Sequence, residues 1–217
     1  MKIKRVIDLT QSPFGLNNNP AFPESKKELC LSYEKNGWMA EYVSFATHSG
    51  THVDAPAHKL EGAPAMDIIP LERFIGEAVI LDMSAKRGGE EITADDLAPF
   101  TDEIGSGDIV LLYTGWGYKK DGEAAEYIGN SPWLGGPGAI FLKNKEVNAV
   151  GIDHFSIGGA NAVPAHEILL EAGILIFEEL FIPVELLGIK RPLFAAFPVK
   201  LGAVSGSPAR AVIIEFE

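Results

Sequence analysis

Apolar residues along the chain fall in short runs bounded by polar residues, glycine and proline, and most of the runs have strand character. Lys4–Leu9 reads as an opening strand. Met39–Thr47 alternates Val43, Phe45 and Thr47 against Tyr42, Ser44 and Ala46, the period-two pattern of an extended segment. Ala78–Asp82, Ile109–Tyr113 and Ala149–Ile152 are compact apolar runs that predict buried strands, and Ile174–Phe177 predicts another that delivers Glu178 at its end. Phe194–Lys200 and Ala211–Phe216 close the chain as strands. Helical signals are few. Thr93 with Asp96 forms a weak capping box for Ala94–Phe100. Pro164 suits the first turn of a helix, where its missing N–H would be unpaired anyway, and predicts a helix over Ala165–Ala172 that Gly173 stops. Gly135-Gly136-Pro137-Gly138 lacks the Lys and Ser/Thr of a phosphate loop and reads as a turn into a helix. Ser12–Lys26 holds Pro13, Pro20, Pro23 and three consecutive asparagines, which predicts a long loop of functional or interface type.

These elements predict a mixed α/β domain with a mixed, curved sheet and short helices. The alternation is too irregular for a doubly wound sheet, and no phosphate-cradling glycine fingerprint follows a strand. With 217 residues and no repeat, low-complexity tract or composition shift, one domain over residues 1–217 is expected. Its 47% hydrophobic and 22% charged residues are a globular balance.

Charge narrows the partners. Eighteen Lys and Arg against thirty Asp and Glu give a formal charge of −12, which repels nucleic-acid phosphates and anionic membrane surfaces. The one cysteine, Cys30, allows neither an intrachain disulfide nor a cysteine-based zinc site. Asp8 interrupts any N-terminal export segment, and the apolar stretch 168–189 carries Glu171, Glu178, Glu179 and Glu185. The expectation is a soluble cytoplasmic protein.

Three of the five histidines fall within eleven residues, His48-Ser-Gly-Thr-His52-Val-Asp54-Ala-Pro-Ala-His58. Gly50, Thr51, Val53 and Pro56 oppose a helix there. In an extended chain, side chains alternate faces, so His48, His52 and Asp54 would point the same way, and Pro56 would bend the chain before His58. Two imidazoles and a carboxylate suit Zn, Mn or Fe and leave a coordination position open for water. A polar loop with merely hydrogen-bonded histidines is the bland alternative. His166 and Glu178 form a second candidate pair, but spacing alone does not choose Glu178 over Glu167, Glu171 or Glu179.

The pattern His48-x-Gly50-Thr51-His52-x-Asp54-x-Pro56-x-His58 resembles the signature of the metal-dependent cyclase-like hydrolases, a family that includes bacterial arylformamidases and isatin hydrolases. Seven fixed positions in eleven residues carry the match. Ile7-Asp8-Leu9-Thr10, Thr114-Gly115-Trp116, Gly151-Ile152-Asp153 with Ser156, His166-x-x-Leu169-Leu170, Ile176-x-Glu178-x-Leu180 and Gly206-Ser207-Pro208-x-Arg210-Ala211 resemble its other landmarks in order. The resemblance implies a swivelling β/β/α fold. It implies that His48, His52 and Asp54 hold a first divalent metal, Zn or Mn. Asp54 would bridge to a second, completed by His166 and Glu178, giving two ions per chain, and His58 would act as acid/base. It also implies a homo-oligomer, dimer or tetramer, in which the N-terminal loop, residues 12–37, reaches a neighbouring subunit.

Two departures fall where substrate would be recognised. His154-Phe155-Ser156 stands where formamidases have Thr-Pro-Ser, and Ala21-Phe22-Pro23 replaces a Trp-Pro-Gly pattern. His154 is either a group near the substrate or a buried, hydrogen-bonded histidine. Phe22, Trp38 and Trp116 are candidate substrate contacts. Trp116, after a strand, is equally suited to a structural role, and Phe155 and Phe181 read as core. The implied function is hydrolysis of a small aryl formamide or cyclic amide by a metal-activated water. Cyclisation or dehydration of a small carbonyl compound, and non-catalytic metal binding, are the alternatives.

Overall fold

The computed structural model describes residues 2–160 and 164–217. Twelve strands are present among them: β1 (Ile3–Asp8), β2 (Lys26–Leu31), β3 (Ala40–Ser44), β4 (His52–Asp54), β5 (Ile75–Asp82), β6 (Glu91–Ile92), β7 (Ile109–Tyr113), β8 (Trp133–Leu134), β9 (Ala149–Ile152), β10 (Leu175–Glu178), β11 (Leu193–Pro198) and β12 (Gly206–Phe216). The helices are short: α1 (Tyr33–Asn36), α2 (Ala94–Leu97), α3 (Ala124–Tyr127), α4 (Gly136–Asn144) and α5 (Pro164–Glu171).

Eight strands form one mixed sheet in the order β1-β12-β11-β5-β7-β9-β10-β4, parallel from β5 through β10 and antiparallel elsewhere. The sheet closes on itself because β12 is long. Its first residues, Gly206–Pro208, pair with β4, while Val212–Phe216 pair with β1. The curvature expected from the irregular strand pattern is therefore a closed ring.

Alternation along the strands divides the core in two. Ile109, Leu111 and Tyr113 of β7 point with Phe177, Phe194 and Ile213 into one cluster that contains no residue of α2, α4 or α5. Val110 and Leu112 point the other way, against Leu97 of α2, Leu142 of α4 and Leu169 of α5. This is the period-two geometry of a sheet filled inside the ring and covered by helices outside it. The Thr93–Asp96 capping box is formed at the start of α2, and Gly173, at φ 72°, follows α5. No helix among the described residues is long and apolar enough to cross a membrane.

Two expectations change. Residues 12–37 are not loop throughout: β2 pairs antiparallel with β3, and α1 lies between them, capped by Ser32. Lys26, Lys27 and Glu28 obscured the strand, because a ribbon exposed on both faces has no apolar alternation. The extended segment expected over 48–54 is strand only at His52–Asp54; residues 48–51 form a turn with Gly50 at φ 64°.

Candidate metal centre

Strand β4 is the floor of the site. His52, Val53 and Asp54 are all buried, held between β10 on one edge and β12 on the other. Gly50 is required just before it. A Cβ there would run into the backbone of Gln11, Ser12 and Pro13, besides meeting the positive φ. Thr51, also buried, accepts from Gln11 N (2.8 Å) and donates to the Glu179 carbonyl. The Gly-Thr pair of the motif thus ties the N-terminal loop, β4 and the end of β10 together.

Six side chains converge on this floor. His48 reaches it from the turn, with Nδ1 2.7 Å from Asp54 Oδ1 and Nε2 3.0 Å from Ser205 Oγ. Gly206 makes room, since a Cβ there would strike the His48 ring. His52 Nδ1 donates to the Gly50 carbonyl (2.8 Å), so its other nitrogen carries a lone pair toward the cluster when the ring is neutral. That nitrogen lies 3.4 Å from both Asp54 Oδ1 and Glu178 Oε2. His166, in the first turn of α5 as predicted, places Nε2 3.0 Å from Glu178 Oε1 and 3.7 Å from Asp54 Oδ2. Glu178 ends β10, the position read from its sequence. His58 closes the group from a 3-10 turn that Pro56 begins; its ring centroid is 4.1 Å from that of His48 and 5.9 Å from that of His166.

The donor atoms fall into two groups that share Asp54. Those of His48, Asp54 and His58 lie within 4.8 Å of one another, and so do those of His52, Asp54 and Glu178. The partition implied by resemblance put His52 with His48 and placed His58 outside the ligand set; the spatial grouping crosses it.

The donor set fits a divalent metal. His52 Nε2 and Asp54 Oδ2 are buried with no hydrogen-bond partner among the described residues. Buried polar atoms left unpaired are costly, and two of them aimed at a shared point with carboxylate and imidazole neighbours are what a cation would satisfy. Electrostatics agree. Burial opposes the charge on Asp54, yet His48 and His52 hold its carboxyl well below the usual range. Burial and the nearby Asp54 both disfavour charge on Glu178, yet His166 and His52 hold its pKa far down. Burial also opposes charging His52, but Asp54 and Glu178 raise it well above an ordinary histidine. The cluster attracts positive charge. His58 differs: burial lowers its pKa, with His48 and His166 adding to the effect and Asp54 and Glu178 opposing it, which favours the neutral ring that a proton acceptor needs.

A cavity of about 330 Å³ opens over the cluster, at the small end of ligand pockets. His48, His52, His58, His166 and Glu178 line its base; Phe22, Pro20, Ile128 and Phe155 supply apolar wall, and Asn19 and Lys59 polar wall. Phe22 stacks on His48 at 6.2 Å and 30°. Phe155, expected in the core, faces the cavity, whereas Phe181 packs on Tyr118 (4.8 Å). Two expected contacts lie elsewhere. Trp116 is buried away from the cavity, with Nε1 toward the Glu126 carbonyl (3.4 Å) and Lys119 over its ring. Trp38 is 71% exposed on the segment joining β2 and β3. His154 is fully buried; desolvation takes its pKa down to about 3, so it is neutral, with Nδ1 accepting from Ser156 N (3.4 Å) and Nε2 without a partner among the described residues. Ser205 and Lys59 were not foreseen: Ser205 reaches His48 from a loop 157 residues away, and Lys59 follows His58 with no signal of its own, while Glu179, a rival carboxylate to Glu178 in the sequence, also lines the cavity.

A sequence profile described as "Putative cyclase", that of the Cyclase family, matches residues 7–158. The chain belongs to this family. The match takes in His48, His52, Asp54, His58 and Ser156, while His166 and Glu178 lie beyond it. Across 221 residues the chain is 30% identical to a kynurenine formamidase of Bacillus cereus, covering 98% of this chain and 99% of that one. It is 32% identical over 177 residues to a kynurenine formamidase of Geobacillus thermodenitrificans, covering 79% and 78%. Among solved structures, isatin hydrolase A from Ralstonia solanacearum superposes with a TM-score of 0.86 at 26% identity, covering 98% of this chain and 92% of that one. The closed mixed sheet is thus the Cyclase-family fold.

Proposed function

We propose that the protein is a metal-dependent amide hydrolase that cleaves the C–N bond of a small aryl formamide or cyclic amide. The observation that carries this is the convergence of His48, His52, His58, His166 and Glu178 at the base of one cavity around the fully buried Asp54, with His52 Nε2 and Asp54 Oδ2 unpaired among the described residues. The kynurenine formamidase relatives and the isatin hydrolase neighbour support an amide as the substrate.

His48, His52 and Asp54 would hold one divalent ion, and Asp54, His166 and Glu178 a second, Zn or Mn in each case; His48 Nδ1 at 2.7 Å and His52 Nε2 at 3.4 Å from Asp54 Oδ1, with His166 Nε2 3.0 Å from Glu178 Oε1, support this division over the one that groups His58 with His48. Such ions supply Lewis acidity to a carbonyl and make hydroxide available near neutral pH. His58 takes a proton at its free ring nitrogen and returns it to the departing nitrogen of the substrate. Phe22 and Phe155 hold an aryl ring over the cluster and exclude water from it. Asp54 and Glu178, held ionised by their histidines, keep the base of the cavity anionic and select for cations there.

The enzyme works as a cytoplasmic homo-oligomer. Tyr33, Trp38, Met39 and Tyr42 on or beside the β2–β3 hairpin are all more than half exposed, and a second copy that covers them would bring Trp38 into contact with it. Apo protein reconstituted separately with Zn²⁺ and Mn²⁺ and offered N-formyl-L-kynurenine tests the proposal. Release of kynurenine at rates of order 1–10³ s⁻¹ is expected with at least one metal. No release from that substrate or from a panel of lactams, with metal bound, would refute it.

A further inference from the structure

The geometry points to Ser156 as a positioning residue that decides which oxygen of Glu178 faces the metal. Glu178 Oε1 accepts from Ser156 Oγ (3.1 Å) and from the backbone N–H of Ile157 (2.7 Å), and His166 Nε2 stands 3.0 Å away. Its Oε2 has no such partners and lies 3.4 Å from the unpaired His52 Nε2. Both atoms that hold Oε1 come from the turn after β9, and that turn is bolted to the end of β10. Glu179 N donates to the His154 carbonyl (2.9 Å), and Ser156 N donates to His154 Nδ1 (3.4 Å). The hydroxyl therefore fixes the carboxylate plane with one oxygen engaged and the other free. A carboxylate without it could rotate, or offer Oε1 and give up its hydrogen bonds.

This rests on Glu178 being a metal ligand, and a control separates the two ideas. Zn²⁺ affinity is measured by competition with a chromophoric chelator for the wild type, Ser156→Ala, Ser156→Thr and Glu178→Gln, beside the unfolding temperature of each metal-free protein. Loss of a hydrogen bond behind a ligand weakens metal binding by about 10–100-fold. Ser156→Ala is expected at the lower end, about tenfold, because the Ile157 N–H remains. Ser156→Thr, which keeps the hydroxyl, should restore most of the affinity, and the metal-free unfolding temperatures should barely differ. Unchanged affinity in Ser156→Ala with weakened binding in Glu178→Gln overturns the positioning role alone. Unchanged affinity in Glu178→Gln overturns the ligand role with it. Equal losses in the Ala and Thr variants would show that packing, not the hydroxyl, matters, and would also overturn it. Should Ser156→Ala fail to fold, Ser156→Cys, similar in size but a weak donor, carries the same expectation.

Discussion

Asp54 and Trp38 are near neighbours in sequence, and they sit in regions with opposite physics. Strand β4 around Asp54 is three residues long, yet both of its edges are paired and none of its residues is exposed. The β2–β3 hairpin beside Trp38 is longer, with a register shift between Leu29 and Leu31, yet every residue of β2 is exposed and among the described residues β2 pairs with β3 alone. Strand length does not decide which is held. What differs is whether side chains on either face are enclosed. A two-stranded ribbon in water is marginal by itself, whereas a short strand inside a closed sheet is fixed many times over. The site is built where each group is held from several directions, whereas the hairpin leaves large apolar side chains in water.

The largest effect should come from breaking the enclosed half at its centre. Asp54→Ala removes the carboxylate shared by both donor groups and leaves His48 and His52 without their counter-charge. Metal content by atomic absorption and turnover should vanish together, activity falling by roughly 10³-fold or more. Retention of both would remove Asp54 from the centre. His58→Ala sharpens the same region. With His58 as acid/base, the variant keeps its metal and loses about 10²–10⁴-fold in kcat. Because His58 also lies in ligand range of His48 and Asp54, loss of metal in this variant would make it a ligand instead.

The two regions were also unequally legible. In the site, chemistry is written in local order: Gly50, Thr51 and Pro56 oppose a helix, so the histidines and Asp54 had to share a non-helical segment. The route was misread at His48, where a turn at Gly50 rather than strand alternation brings the ring in, since nothing in the sequence shows that the Gln11–Pro13 backbone packs against that glycine. Strands β5, β7, β9 and β10 were legible because helices and sheet bury both faces, leaving unbroken apolar runs, whereas the two-residue strands β6 and β8 carry no such run. Strand β2 was not, because its Lys and Glu residues alternate with nothing. Phe155 was read as core for the same reason in reverse: a phenylalanine over a cavity and one in a core look alike until tertiary contacts separate them.

A pH experiment probes how far enclosure extends behind the site. Asp153 is fully buried, and desolvation lifts its pKa from 3.8 to about 6, against three hydrogen bonds from Thr114 and Gly115. The folded chain therefore holds this proton more tightly than the unfolded chain. The resulting stabilisation is full below about pH 3.8 and is lost as pH rises through about 6. Two pKa units correspond to at most about 3 kcal/mol. Urea unfolding of wild type and Asp153→Asn from pH 4 to 7 should show the wild type losing ground steadily up to about pH 6 and no further. A constant difference across that range would mean that this carboxyl titrates as if exposed.

The smallest effect should come from the hairpin, and it depends on concentration. Trp38→Ala removes a large, exposed aromatic that can anchor a partner. Truncating such an anchor typically costs more than 1 kcal/mol of association, so the dimer Kd from sedimentation should rise about tenfold. Diluted well below that Kd, wild type and variant should unfold within about 0.5 kcal/mol of each other, as expected of a largely exposed residue. These two measurements together decide the comparison. A tenfold shift in Kd with equal monomer stability means that the hairpin owes its order to the second copy. A destabilised monomer with unchanged association would mean that Trp38 packs at home, and the contrast between the enclosed site and the unfinished ribbon would fall.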